Sequence, residues 1–72
     1  MMKSAEFYAR TAVAQAKAAV KFQNKYYICL AINTVYTAFI YGVISRDEWK
    51  AAADYIRIFG RQHQVDLREM LK

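Results

Sequence analysis

Tyr26-Tyr27-Ile28-Cys29-Leu30-Ala31-Ile32-Asn33-Thr34-Val35-Tyr36-Thr37-Ala38-Phe39-Ile40-Tyr41-Gly42-Val43-Ile44-Ser45 is a run of 20 residues without a charge. On a helix it is apolar on every side. Such a helix is buried in a larger core or in a membrane. The chain that carries it has 72 residues. A chain of that size hides only about 60% of its unfolded surface. A helix that needs cover thus sits in a chain too short to supply much, and the rest of the sequence is read against that conflict.

The run ends on local signals. Gly42 predicts a helix C-terminus, since glycine adopts the left-handed backbone that closes a helix. Ser45-Arg46-Asp47-Glu48 reads as a capping box, in which the Ser45 hydroxyl accepts from the Glu48 amide and the Glu48 carboxylate reaches back. Asp47 and Glu48 also suit the positive end of the helix dipole. A connection this short predicts antiparallel neighbours. The last helix is expected over about 46–71, with an apolar seam of Trp49, Ala52, Ile56, Phe59, His63, Leu67 and Met70. Arg46, Lys50, Arg57, Arg61 and Arg68 form a separate basic arc. Gly60 costs about 1 kcal/mol against Ala and is a place where this helix could break.

Before the run, Ala5, Ala9, Ala12, Ala16 and Ala19 recur at spacings of 4, 3, 4 and 3, which is one face of a helix. Lys3, Arg10, Lys17, Lys21 and Lys25 fall on the other side. The chain has no Pro. The favoured reading is therefore an all-α hairpin whose long first helix covers about 3–42, some 58 Å at 1.5 Å per residue. Its shorter partner leaves the alanine seam uncovered, so homo-oligomerisation completes the fold. Ala5, Ala9, Ala12, Ala16, Ala19, Tyr26 and Leu30 are the expected oligomer interface. The alternative is a three-helix bundle with a bend near Asn24, the one weak helix former in Gln23-Asn24-Lys25. Either way 1–72 is one helical domain. The expected core is Val13, Val20, Tyr27, Leu30, Ile32, Val35, Phe39, Ile40, Trp49, Ile56, Phe59 and Leu67.

Composition excludes several functions. One Cys forms no disulfide within the chain, and one Cys with one His is too few for a structural zinc site. Cys29 has no basic neighbour in sequence and reads as a structural thiol. His63 reads as a hydrogen-bonded core or rim residue. Ser4 and Ser45 read as helix caps. No glycine-rich phosphate loop occurs, and no carboxylate pair falls in an apolar setting. The expectation is a protein without enzymatic activity, metal or cofactor. The amino-terminal stretch is interrupted by charges, unlike a signal peptide, and with a free Cys this points to the cytoplasm.

The chain carries 11 basic and 6 acidic residues, a net +5. Lys17, Lys21, Lys25, Arg57 and Arg61 are the cations expected to meet an anionic partner. Two other readings compete with a binding protein. Residues 26–45 are about long enough to span a bilayer, flanked by Lys25 and Arg46, although Asn33, Thr34 and Thr37 make the span marginally hydrophobic. Ala38 and Gly42-Val43 also resemble the small-residue and turn spacing of a helix-turn-helix, which would present Arg46 and Lys50 at the start of a recognition helix. Against it, Ile44-Ser45 delay that helix, and Glu48 stands where an apolar residue belongs. In kind, such a compact basic helical chain looks like a small phage or mobile-element accessory protein. The function read from the sequence is an adaptor or inhibitor that acts as a homo-oligomer on another macromolecule, with a basic face guiding the encounter.

Overall fold

A computed structural model describes residues 4–63. Lys3, Leu67, Arg68, Met70 and the continuation of the last helix towards Leu71 lie outside them. The described residues form three helices and no strand: α1 over Ala5–Phe22, α2 over Tyr26–Ile40 and α3 over Arg46–Gln62.

The expected single rod is thus two helices. The break falls at Gln23, which takes a left-handed backbone with φ 48° and ψ 49°. That conformation costs a non-glycine residue roughly 1–2 kcal/mol. Local bonds offset part of it. The Gln23 amide donates to the Val20 carbonyl at 3.3 Å and the Asn24 amide to Ala19 at 3.0 Å, the two bonds of a Schellman closure. The Gln23 side chain adds a bond from Nε2 to the Val20 carbonyl at 3.0 Å. Asn24 then opens α2, its Oδ1 accepting from the Tyr26 amide at 3.0 Å. The same residue that weakens a continuous helix supplies the acceptor that starts the next one.

The other boundaries match their sequence signals. Gly42 has φ +73°. Its amide donates to Phe39 and the Val43 amide donates to Ala38, both at 2.9 Å. Ser4 caps α1 by accepting from the Phe7 amide at 3.2 Å. The capping box of α3 is complete: the Glu48 amide donates to Ser45 Oγ at 3.1 Å, and the Ser45 amide donates to Glu48 Oε1 at 2.8 Å. Within α3, Gly60 causes no break; the helix runs through it and buries it.

α2 packs against both neighbours, while α1 and α3 meet each other sparsely. The core is built of small residues. Ala12, Ala16 and Ala19 of α1 are buried with Ile28, Ala31 and Val35 of α2 and Ile56 of α3. Ile28 is the one large side chain fully buried among the described residues. Alanine on alanine lets helix axes approach closely and gains dispersion contact, but buries little area. The expected core is therefore only partly right. Val35 and Ile56 are buried, and Val20, Tyr27, Ile32, Trp49 and Phe59 pack against the cluster. Val13, Leu30 and Ile40 are about half exposed instead, because they lie off the line along which α1 and α3 touch α2.

Aromatic rings hold the α2–α3 corner. Phe39 and Trp49 stack at 5.4 Å with 11° between planes, and Tyr36 closes on Trp49 at 5.2 Å. The Trp49 indole N–H is buried and has no acceptor among the described residues. The corner is thus held by ring contact.

Candidate binding groove

Sparse contact between α1 and α3 leaves a trough of about 340 Å³. Its α1 wall is Ala9, Ala12, Val13 and Ala16, its floor includes Val35, and its α3 wall is Ala52, Tyr55, Ile56 and Phe59. The gap has a simple cause. Ala9, Ala12, Ala16 and Ala52 contribute only methyl groups to the lining, which fill little of the space between the helices. Only Lys17 and Tyr55 bring side-chain polar atoms to the lining. Val13 is 53% exposed and Tyr55 70% exposed, so both rims stand in water.

The anion-binding candidates are divided by this geometry. Lys17 lines the groove. Lys21 follows one turn later on the same flank of α1, its ammonium 5.4 Å from the Phe22 ring centroid. Lys25 lies at the α1–α2 turn, 6.0 Å from the Tyr26 ring. At 100° per residue, Arg57 and Arg61 project from the flank of α3 opposite Tyr55 and Phe59, so they do not share the groove. Arg57 also pairs with Asp54 at 3.3 Å. On α1, Arg10 pairs with Glu6. Both are surface pairs at helical spacing, worth a few tenths of a kcal/mol at most.

The expected oligomer interface is divided as well. Ala12, Ala16 and Ala19 are buried inside the chain itself. The bend at Gln23 folds α2 back over them, so the surface that was to recruit a second copy is largely covered by the first. Ala5 and Ala9 remain exposed, Ala9 as part of the groove wall. Tyr26 and Leu30 are exposed on the far side of α2.

His63 is exposed, its Nδ1 donating to the Phe59 carbonyl at 3.0 Å while its ring lies 4.3 Å from that of Phe59. Cys29 is partly buried. Among the described residues no group of three or more His, Cys, Asp or Glu is placed to hold a metal ion. No described helix is long and apolar enough to cross a membrane, since the uncharged run ends as a helix at Ile40.

Sequence reasoning missed the groove. It expects Val13 in the core, where the structure leaves it half exposed, and assigns no place to Tyr55 among six tyrosines on several faces. One signal was available: Tyr55 is a large ring beside the seam of α3, not on it. No protein-family model, curated protein or solved structure matches the chain.

Proposed function

We propose that this chain is a non-enzymatic binding module whose α1–α3 groove seats an amphipathic helix of another protein, with acidic residues along one flank of that helix. The groove carries the reading: an open, apolar trough with aromatic and aliphatic rims suits the apolar stripe of a helix. Charge complementarity selects the partner's chemistry. Lys17 stands at the α1 wall with Lys21 beside it, on a chain of net charge +5. An acidic flank there gains attraction and a faster encounter. The module acts as an adaptor or inhibitor by occupying that helix, and it does so as a homo-oligomer.

The test uses two designed peptides with the same apolar face, one flanked by Glu and one by Lys. The Glu-flanked peptide binds more tightly, and the difference shrinks as salt screens the lysines. Substituting Val13→Glu and Tyr55→Glu together removes binding of both. Equal affinity for the two peptides would refute the electrostatic part, and binding to neither would refute the groove.

One observation favours a second reading. Arg46, Lys50, Arg57 and Arg61 occupy one flank of α3, as phosphate contacts on a nucleic acid would require. Asp47 and Asp54 interrupt that flank, and Asp54 engages Arg57, so it is the weaker case. Duplex binding that falls steeply with salt would favour it.

A further inference from the structure

One end of the bundle carries an exposed corner that is both aromatic and basic. Gln23-Asn24-Lys25 join α1 to α2 there. The rings on either side stand in water: Phe22 is 59% exposed and Tyr26 66%. The Lys21 ammonium lies 5.4 Å from the Phe22 ring centroid, and that of Lys25 lies 6.0 Å from the Tyr26 ring. A recess of about 340 Å³ is lined by Phe22, Gln23, Asn24, Lys25 and Tyr26.

We infer that this corner docks the protein on an anionic lipid bilayer, with Phe22 and Tyr26 entering the headgroup layer and Lys21 and Lys25 meeting lipid phosphates. Three observations select that surface. The first is charge. Between Glu6 and Asp47 the chain has no acidic residue. Glu6 lies at the far end of α1, paired with Arg10. α3 runs back towards the corner, since Trp49 meets Tyr36 and Phe39 while Ile56 joins the cluster that contains Ile28. Its last turn brings Arg61, a further cation, towards the same end. The second is the pairing of ring with ammonium. Phe22 has no polar atom, so water gains nothing from its exposed ring. At a bilayer surface such a ring leaves water while the lysine beside it keeps its charge among the phosphates. Tyr26 suits the same boundary, its ring in the apolar layer and its hydroxyl at the headgroups. The third excludes the other polyanion. A nucleic acid would stack bases on bare ring faces. Here Phe22 already stacks on Tyr27 at 5.8 Å, and a lysine of the chain stands over each of Phe22 and Tyr26. Two rings and a few cations hold a protein on a membrane only reversibly. The inference uses the α1–α2 turn and does not depend on a peptide in the groove.

The test is co-sedimentation of the full chain with vesicles of phosphatidylcholine alone and of phosphatidylcholine mixed equally with phosphatidylserine. The wild type binds the mixed vesicles and not the neutral ones, and salt weakens the binding. Lys21→Gln with Lys25→Gln lowers the affinity about 30-fold, a factor of about five for each lysine near an anionic surface. Arg46→Gln with Lys50→Gln removes the same charge at the opposite end of the bundle and changes the affinity by no more than about two-fold, because salt screens charges that far from the surface. Tyr26→Trp gives fluorescence that shifts to the blue with the mixed vesicles only. Circular dichroism confirms that each variant keeps its helices. A wild type that ignores the mixed vesicles, an equal loss from the two charge variants, or a Tyr26→Trp emission that does not move would overturn the proposal. So would a wild type that passes over both vesicles but binds a single-stranded oligonucleotide and loses it on Phe22→Ser with Tyr26→Ser, since the rings would then face bases.

Discussion

Thr34 on α2 donates from Oγ1 to Oε1 of Gln15 on α1 at 2.7 Å, across a partly buried helix contact. The same hydroxyl lies 2.9 Å from the Leu30 carbonyl, its other acceptor. Beside a seam of alanines that slide easily past one another, this bond gives the α1–α2 pair a fixed register. Thr34→Val keeps the shape and leaves the Gln15 amide without its partner. The expected loss is about 1 kcal/mol, since water reaches a partly buried amide and softens the penalty. Urea unfolding of the two proteins measures it.

The two left-handed residues respond in opposite directions. Gly42, at φ +73°, has open space where a Cβ would sit. Gly42→Ala is thus opposed by backbone conformation alone, at about 1 kcal/mol. Gln23, at φ 48°, already bears that kind of strain. Gln23→Gly relieves it while giving up the side-chain bond to Val20, so thermal unfolding should show a neutral to stabilising change. A loss at Gln23 as large as that at Gly42 would refute the account of the bend.

The capping box predicts a pH response. The backbone amide of Ser45, then its hydroxyl, hold the Glu48 carboxyl below its ordinary range. A carboxyl lowered in the folded state stabilises fully above its unfolded value and loses that contribution as pH falls through the folded one. Thermal midpoints of the wild type should therefore drop on acidification below the usual carboxylate range. Glu48→Gln should flatten that part of the profile while keeping most of the cap, because Gln also serves at this position. Ser45→Ala should cost about 1 kcal/mol at neutral pH.

The alanine stripe separates into two classes. Ala19 is fully buried, whereas Ala5 is exposed. Ala19→Leu forces extra methylenes into the tightest part of the core and should cost about 3 kcal/mol. Ala5→Leu should stay within about 0.5 kcal/mol. Equal tolerance at both positions would mean that α2 does not fold back over α1.

Replacing Lys17, Lys21 and Lys25 together with Glu should abolish binding of the Glu-flanked peptide and leave helical content intact. Lys17 and Lys21 are exposed and Lys25 is half-buried, and none belongs to the core. Undiminished binding would remove the electrostatic half of the proposed function. Circular dichroism beside the titration separates that result from a failure to fold.

The helix ends were legible because each depends on a few adjacent atoms. Gly42 can adopt a positive φ at no steric cost, and Ser45 with Glu48 satisfies free amides within one turn. The α1–α2 boundary was harder to read because Gln23 has no preference for the conformation it holds. Of its neighbours, only Asn24 hinted at a break. The cost at Gln23 is offset outside the turn, where Ala12, Ala16 and Ala19 close on Ile28, Ala31 and Val35. The same contacts bury Ala12, Ala16 and Ala19, which periodicity alone offers to a second copy.

Helical structure throughout the described residues, the capped corner between α2 and α3 and the excess of basic side chains could all be read from local sequence. These follow from charge count and from interactions within four residues. Packing between helices separates α1 from α2, puts Ala12, Ala16, Ala19 and Ala31 in the core, and leaves Val13 and Tyr55 on the rims of a groove. It also leaves Leu30 and Ile40 facing outward. Which side of an all-round apolar helix is covered depends on where its neighbours lie, and periodicity cannot rank sides that are equally apolar.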